Sequence, residues 1–219
     1  MLRTVVFDLD GTLVHSAPDL QAAANRMLAD LGAAPLDMET VISFIGRGVA
    51  VLVRRCLTHV GLDTDPDAAL AIFEAHYARD LTTLTRPYPG AEVMLATLRD
   101  RGLTLGLCTN KPEGPARALC DALNLTQYFD VIVGGDTLTV RKPDPDPLWH
   151  VITALGGKLP ETLYVGDSET DYLTARRAGV LFAFFEGGYQ PGEIAGFKPN
   201  FRLARIEDLG KLPELNPKI

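Results

Sequence analysis

Short apolar runs bounded by Gly, Asp or Asn recur along this chain, with longer amphipathic segments between them. Short runs that are apolar throughout are typical of parallel strands buried on both faces. The predicted strands are residues 4–9, 103–109, 131–133, 163–165 and 180–185. The segments between the later strands carry apolar residues at helical spacing, and several stop at a glycine, as helix C-termini often do. The predicted helices are residues 91–100, 113–123, 145–155 and 169–178.

The region between the first two strands follows another pattern, because residues 17–86 contain no convincing strand. Ser16 followed by Pro18 and Asp19 predicts a helix start with Ser16 as the N-cap. Further segments with helical spacing follow, and the Pro- and Gly-rich residues 87–90 favour a hinge where the chain returns.

Together these patterns predict the α/β class, with a parallel-sheet, Rossmann-like core and a small all-helical cap domain inserted after the first strand. We expect the core to comprise residues 1–16 and 87–219 and the cap to comprise residues 17–86. A cap inserted at this point lies over the mouth of the sheet.

Composition narrows the function classes. The net charge of −7 argues against general nucleic-acid or anionic-membrane binding, which needs basic patches, but permits an anionic substrate beside local cations. Cys56, Cys108 and Cys120 match no zinc pattern, so we interpret them as free thiols in a reducing compartment. With neither a signal peptide nor a span-length apolar stretch recognised, the expected location is the cytoplasm.

Two carboxylates, Asp8 and Asp10, follow the first apolar run and precede Gly11. Open α/β sheets keep their ligand crevice at the carboxyl ends of strands, where carboxylates avoid the cost of unpaired burial. Side chains two residues apart in a strand point the same way, so both acids can face one site, while Gly11 permits a tight turn. We interpret them as two acids with separate tasks around a metal or a phosphate; the alternative is a strand that ends in a polar turn.

Three further polar segments follow later strands: Thr109-Asn110, the loop with Lys142, and residues 166–171. Each alone has an ordinary explanation, namely a strand-to-helix turn, a solvated lysine and a helix N-cap. Because each stands at or shortly after the carboxyl end of a predicted strand, we expect all of them in one crevice with Asp8 and Asp10.

The motifs DLDGT, CTN, RKP and GDSETD, in this order, resemble those of the haloacid dehalogenase-like hydrolase superfamily over essentially the whole chain. The helical insertion is similar to the class I cap of that superfamily. Within it the chain looks most like the phosphoglycolate phosphatases, through segments such as DGTLVHSAPDL and VIVGGDTLTVRKPDPDPL.

The resemblance implies hydrolysis of a phosphate monoester through an aspartyl-phosphate intermediate. Asp8 would be the nucleophile, and Asp10 would protonate the leaving group and then activate water. Mg²⁺ would be held by Asp8, the backbone carbonyl of Asp10 and Asp167. Asp171 is grouped with these metal residues, either orienting the ligands or binding through water.

The resemblance also implies how the phosphate is held. Thr109 would donate its hydroxyl to a phosphoryl oxygen, with Asn110 assisting, and Lys142 would neutralise the nucleophile and the phosphate. Backbone N–H groups around Leu9 to Gly11 would supply further donors.

Substrate specificity is expected from the cap, where Arg47 stands between two glycines and suits bidentate capture of a carboxylate. The alternative for Arg47 is a surface arginine in a helix–helix turn. His15 stands where relatives usually carry Asp; it either alters a hinge hydrogen bond, introduces pH dependence, or is a neutral surface change.

The expected function is therefore a Mg²⁺-dependent 2-phosphoglycolate phosphatase that acts on a small-molecule phosphate ester as a monomer or homodimer. A β-phosphoglucomutase-type phosphomutase and a broad-specificity metabolite phosphatase are the alternative enzymes. A phospho-accepting signalling module is the non-enzyme alternative, and it fits less well because its accepting Asp lies on a later strand.

Overall fold

The computed structural model describes residues 1–190 and 192–215. Its main sheet has six parallel strands in the order β5-β4-β1-β6-β7-β8, and a separate antiparallel pair joins β2 to β3. The strands are β1 Thr4–Phe7, β2 Val14–His15, β3 Arg86–Pro87, β4 Thr104–Cys108, β5 Val131–Val133, β6 Thr162–Gly166, β7 Leu181–Phe185 and β8 Phe201–Leu203.

Eight α-helices accompany these strands in the described ranges. They are α1 Ala17–Asp30, α2 Met38–Ile42, α3 Val49–Val60, α4 Pro66–Arg79, α5 Ala91–Asp100, α6 Glu113–Ala122, α7 Asp146–Ala154 and α8 Glu169–Ala178. None of the helices in the described part of the chain has the length and apolar character needed to span a membrane.

The sheet is buried on both faces, and strand alternation divides its side chains between two hydrophobic clusters. Val5 and Phe7 of β1 lie in the cluster that includes residues of α5 and α6, whereas Val6 lies in the cluster with residues of α7 and α8. Because successive side chains of a strand point to opposite faces, this arrangement needs apolar residues at every position. The α/β class and the parallel Rossmann-like core predicted from the sequence are confirmed.

The helices α1–α4, which we call the helical insertion, follow β2 and precede β3. They have a hydrophobic cluster of their own, with Met27, Leu52 and Phe73 fully covered. The two connections to the core pair with each other, Val14 opposite Pro87 and His15 opposite Arg86. The insertion therefore leaves and rejoins the core at one place.

The first insertion helix, α1, starts at the predicted N-cap, Ser16, but within the described residues the Ser16 side chain makes no capping bond to a helix N–H group. Asp19 is buried and accepts hydrogen bonds across the insertion instead, from the N–H groups of Leu84 (3.0 Å) and Thr85 (2.7 Å) and from the Thr85 hydroxyl (2.7 Å). This carboxylate therefore ties the first helix of the insertion to the chain that leaves it.

The sequence analysis did not predict the strands β2, β3 and β8, and the first strand is shorter than predicted. The pair β2–β3 has only two residues on each side, and β8 is an edge strand in which Arg202 is exposed, so neither forms a buried apolar run. Strand β1 ends at Phe7 because the chain then coils, with the Leu9 carbonyl accepting hydrogen bonds from Thr12, Leu13 and Val14.

Candidate active site

The carboxyl edge of the sheet collects the polar residues that follow its strands. Asp8 comes directly after β1, Thr109 directly after β4 and Asp167 directly after β6. With Lys142, which follows β5 at a distance along the chain, these side chains are all buried. The cleft above them is closed by the insertion, whose residues Ile45, Gly46 and Val49 line it together with Asp8, Asp10 and Thr109.

Three carboxylates dominate the electrostatics of this edge. Asp8, Asp167 and Asp171 each bring an oxygen to within 4.8 Å of the others, and all three residues are buried. Burial raises the pKa of Asp8 to about 6 despite the opposing charge of Lys142. Burial, followed by repulsion from Asp171 and Asp8, raises the pKa of Asp167 well above its ordinary value. Free carboxylates packed so closely at neutral pH need additional positive charge.

Lys142 supplies part of that charge. Its Nζ donates to Asp8 Oδ1 (2.8 Å), Asp171 Oδ1 (2.8 Å) and the Tyr164 hydroxyl (2.7 Å), which accounts for all three ammonium protons. The two carboxylates raise the pKa of Lys142 above its ordinary value and outweigh the effect of burial, so the side chain is charged. Three carboxylates and one lysine leave two negative charges, which matches one divalent cation.

The oxygen-only donor set also fits Mg²⁺, which prefers carboxylate and carbonyl ligands. Asp171 is the least available of the three acids, because its Oδ1 accepts from Lys142 and the Tyr164 hydroxyl, while its Oδ2 accepts from the Ser168 hydroxyl and N–H. Ser168 is the N-cap of α8, and its hydroxyl in turn accepts from the Asp171 N–H. Asp8 and Asp167 are therefore the better placed direct ligands.

Asp167 is fixed by residues from two other loops. Its Oδ1 accepts from the Thr12 hydroxyl (2.7 Å) and its Oδ2 from the Tyr189 N–H (2.7 Å). Two glycines permit this packing, since a Cβ on Gly11 would lie 2.4 Å from Asp167 Oδ2 and one on Gly188 would lie 2.2 Å from the Asp167 Cβ. Gly11 also has φ of +86°, a conformation that other residues rarely adopt.

Two residues predicted to contact the phosphate have other partners. The Gly11 N–H donates to the Val14 carbonyl (2.9 Å), so the contribution of Gly11 is the close approach to Asp167 rather than a free donor. The Asn110 amide donates to the carbonyls of Gly46 in the insertion and Lys142 in the core, both at 3.0 Å. Asn110 thus joins three segments, and both protons of its side-chain amide are already used.

Thr109 lies in the same cleft as Asp8 and Asp10 and is buried there. Its Oγ1 accepts the Lys111 N–H (3.2 Å), which leaves the hydroxyl proton to be donated.

Arg47 lies at the insertion side of the cleft, in a lining that also contains Asp8, Asp10 and Asp167. It is exposed, as both interpretations of this arginine allowed. Arg55 of α3 lines the same cleft, is half-buried and donates to the Ser43 carbonyl at 3.1 Å. The lining of the cleft therefore includes two guanidinium groups together with its carboxylates.

Several residues near the site were missed because nothing local in the sequence marks them. Tyr189 holds Asp167 through its N–H, while its hydroxyl accepts from the Ala17 N–H (2.9 Å) and lies 3.0 Å from His15 Nδ1. The sequence allows three roles for His15. The contact with the Tyr189 hydroxyl supports a hydrogen bond at the connection to the insertion. Lys111, directly after Asn110, is also buried and lies beside Asp10.

Comparison with known proteins places the chain in a family. The family model described as haloacid dehalogenase-like hydrolase matches residues 5–185, which is most of the chain. The protein therefore belongs to the haloacid dehalogenase-like hydrolases, as the motifs indicated.

Within this family the chain is similar to proteins named as phosphoglycolate phosphatases. The chain is 49% identical over 193 residues to a phosphoglycolate phosphatase of Cereibacter sphaeroides, covering 87% of this chain and 88% of that one. It is 47% identical over 219 residues to a phosphoglycolate phosphatase of Rhodospirillum rubrum, covering 97% and 90%. The crystal structure of a predicted phosphoglycolate phosphatase from Haemophilus somnus matches with a TM-score of 0.92 and 29% identity, covering 96% and 97%.

The buried acids predict a pH-dependent response to Mg²⁺. In EDTA, a raised carboxylate pKa stabilises the fold at acid pH, and Asp8 loses this contribution as the pH rises through about 6. Metal ligands must be deprotonated, so Mg²⁺ at about 100 times its Kd should raise Tm by about 5–10 °C near pH 7.5 and by much less near pH 5. Differential scanning fluorimetry in a pH series measures this difference.

The Asp167→Asn variant should lose most of the rise in Tm, whereas Asp63→Asn, at an exposed position of the insertion, should keep it. An equal rise at both pH values, or a full rise in Asp167→Asn, would contradict the metal site.

Proposed function

We propose that this protein is a Mg²⁺-dependent phosphomonoesterase whose substrate is 2-phosphoglycolate and whose intermediate is a phosphoryl group on Asp8. The observation that carries the proposal is the arrangement around Asp8, which lies against Lys142 with Asp167 and Asp171 in the same cluster. The relatives that carry the name phosphoglycolate phosphatase support the choice of substrate.

In the first step Asp8 attacks the phosphorus, and the bond to the ester oxygen breaks. Asp10, two residues further along the same turn, lies in the cleft lining and gives its proton to the departing alkoxide. Thr109 donates its hydroxyl to a phosphoryl oxygen, while Lys142 holds Asp8 in place and balances the charge that moves onto the phosphate.

In the second step water attacks the phosphorus of the aspartyl-phosphate. The water proton passes to Asp10, and the electron pair of the broken P–O bond returns to the Asp8 carboxylate. One carboxyl group thus acts first as acid and then as base, which suits a displacement in two steps.

Asp8, Asp167 and the Asp10 carbonyl would hold the cation, and Asp171 would position Lys142 and the start of α8. When bound, Mg²⁺ supplies the positive charge that lets an anionic nucleophile approach a phosphate dianion. Each carboxylate is fixed in advance by named partners, so little reorganisation is needed on binding.

We infer that residues 17–86 act as a cap over a core of residues 1–16 and 87–219. The paired connections at β2 and β3 form a single hinge region, and insertion residues line the cleft. Within this cap Arg47 is the residue proposed to receive the carboxylate of 2-phosphoglycolate, with Arg55 on the same lining.

We place the protein in the cytoplasm. Cys56, Cys108 and Cys120 are buried and free in the structure, as expected where thiols stay reduced. Its proposed partner is a small phosphate ester, and we propose neither a nucleic acid nor a membrane as a partner.

The proposed function is tested by measuring steady-state kcat/KM with Mg²⁺ for three kinds of substrate. These are 2-phosphoglycolate, phosphate esters of uncharged alcohols, and β-glucose 1-phosphate with its bisphosphate activator. The expected result is phosphate release with a clear preference for 2-phosphoglycolate. Slow release of phosphate from many esters would disprove 2-phosphoglycolate as the specific substrate but would not contradict the mechanism. Isomerisation of the sugar phosphate without net release of phosphate would show a mutase instead.

The nucleophile is tested by Asp8→Asn. We expect kcat to fall by about 10³-fold or more, because no carboxylate remains to attack the phosphorus. Tm in EDTA should not fall, since the change removes one negative charge from a cluster that has an excess of them. The exposed Asp100→Asn is the matched control, and near wild-type turnover by Asp8→Asn would disprove the assignment.

The carboxylate role of Arg47 is tested by Arg47→Ala beside Arg54→Ala, an exposed neighbour on α3. Loss of an ionic hydrogen bond worth about 1.5–3 kcal/mol should raise KM for 2-phosphoglycolate by about 10- to 100-fold. The same variant should hydrolyse p-nitrophenyl phosphate with a nearly unchanged KM. Equal effects on both substrates, or an equal effect of Arg54→Ala, would show that Arg47 does not recognise the carboxylate.

A further inference from the structure

Each acid of the Asp8–Asp10 pair has a lysine of its own. Lys142 contacts Asp8, whereas the Nζ of Lys111 lies 3.3 Å from both Oδ1 and Oδ2 of Asp10. The Lys111 side chain is only 1% exposed and that of Asp10 is 14% exposed. The mechanism proposed above gives Lys111 no task, although an ammonium group is costly to bury.

The other contact of Lys111 comes from the insertion. Its Nζ donates to the Tyr77 hydroxyl at 2.7 Å, and Tyr77 belongs to α4. The Tyr77 ring stacks on Phe73, which lies in the hydrophobic cluster of the insertion. Lys111 therefore lies between Tyr77, which is packed in the hydrophobic cluster of the insertion, and Asp10, the proposed acid and base.

The contacts of Lys111 point to a positioning task. Its Nζ is equally distant from the two Asp10 oxygens, which share one of its protons, and it donates another to the Tyr77 hydroxyl. The side chain is therefore held between Asp10 and the insertion. Asp10 and the Tyr77 hydroxyl raise the pKa of Lys111 above its ordinary value and outweigh burial, so the side chain stays charged.

We propose that Lys111, held by Tyr77 of the insertion, is a positioning residue that orients the Asp10 carboxylate for its proton transfers. The inference rests on the proposed function, in which Asp10 is neutral before the first step and anionic after it. A fixed cation 3.3 Å from both oxygens limits the rotation of the Asp10 carboxylate, and the main benefit falls on the second step, where this carboxylate takes the proton from water. The contact with Tyr77 makes this orientation depend on the insertion being in place.

The choice of substrate separates the two steps. An alkyl ester needs a proton from Asp10 when its P–O bond breaks, whereas the p-nitrophenolate of an aryl ester leaves without one. Hydrolysis of the aspartyl-phosphate needs Asp10 as a base in both cases. A protein with a misoriented Asp10 should therefore be phosphorylated by p-nitrophenyl phosphate and then remain phosphorylated.

The experiment compares Lys111→Met and Tyr77→Phe with the wild type, using p-nitrophenyl phosphate and Mg²⁺ in a rapid-quench instrument. Two quantities are measured: the burst of p-nitrophenolate per protein molecule, and the phosphorylated fraction of intact protein by mass spectrometry after acid quench. We expect Lys111→Met to lower kcat by about 10- to 100-fold while the phosphorylated fraction rises to a majority. Tyr77→Phe should shift both quantities in the same direction by a smaller factor.

Asp10→Asn is the positive reference, and Lys158→Met is the matched control, because the Lys158 side chain is 74% exposed. The control should behave as the wild type. A lower kcat in Lys111→Met without a rise in the phosphorylated fraction, or a change confined to KM, would overturn the inference. If Lys111→Met does not fold, Tyr77→Phe decides, since it keeps the ring and removes only the hydroxyl.

Failure of the proposed function gives a different result. In that case neither the wild type nor Asp10→Asn would acquire a phosphoryl group from either ester, and the inference about Lys111 would fall with it.

Discussion

Asp8, Asp167 and Asp171 are buried side by side at the carboxyl edge of the sheet, and one lysine, Lys142, lies among them. The negative charge that remains unbalanced there makes the edge receptive to a divalent cation. Parallel strands favour such a cluster because their carboxyl ends all lie at the same edge of the sheet, so the residues that follow them are close together. The apolar residues on both faces of the sheet, such as Val5 and Val6, keep those strands in register beneath the acids.

The residues that hold the carboxylate cluster also contact the two segments that connect the insertion to the core. Tyr189 holds Asp167 through its N–H and accepts a hydrogen bond from the first residue of α1, next to His15. Asp19 ties α1 to the returning chain at Thr85. The connections are therefore linked to the Asp167 carboxylate through one tyrosine, so a change in the position of either affects the other.

The insertion also contacts the segment that follows β4. Asn110 donates to the Gly46 carbonyl and Lys111 donates to the Tyr77 hydroxyl, so residues on either side of the cleft are joined next to Thr109. Beneath the insertion Asp8, Asp167 and Asp171 are buried, and low exposure to water strengthens the electrostatic contacts within the cluster. Arg47 and Arg55 of the insertion add two positive charges to the lining of the same cleft.

The sequence by itself determined the sheet, the insertion and the residues directly after strands, because strands buried on both faces are continuous apolar runs and a polar residue that ends one is easily seen. Asp8, Thr109 and Asp167 were found in this way. The tertiary structure alone decided the partners of Asp10, Asp19 and Tyr189, which lie 101, 66 and 172 residues away along the chain. It also assigned the Asn110 donors and the edge strand Phe201–Leu203, because a hydrogen bond to a distant backbone group and the pairing of a half-exposed strand leave no periodic pattern in the sequence.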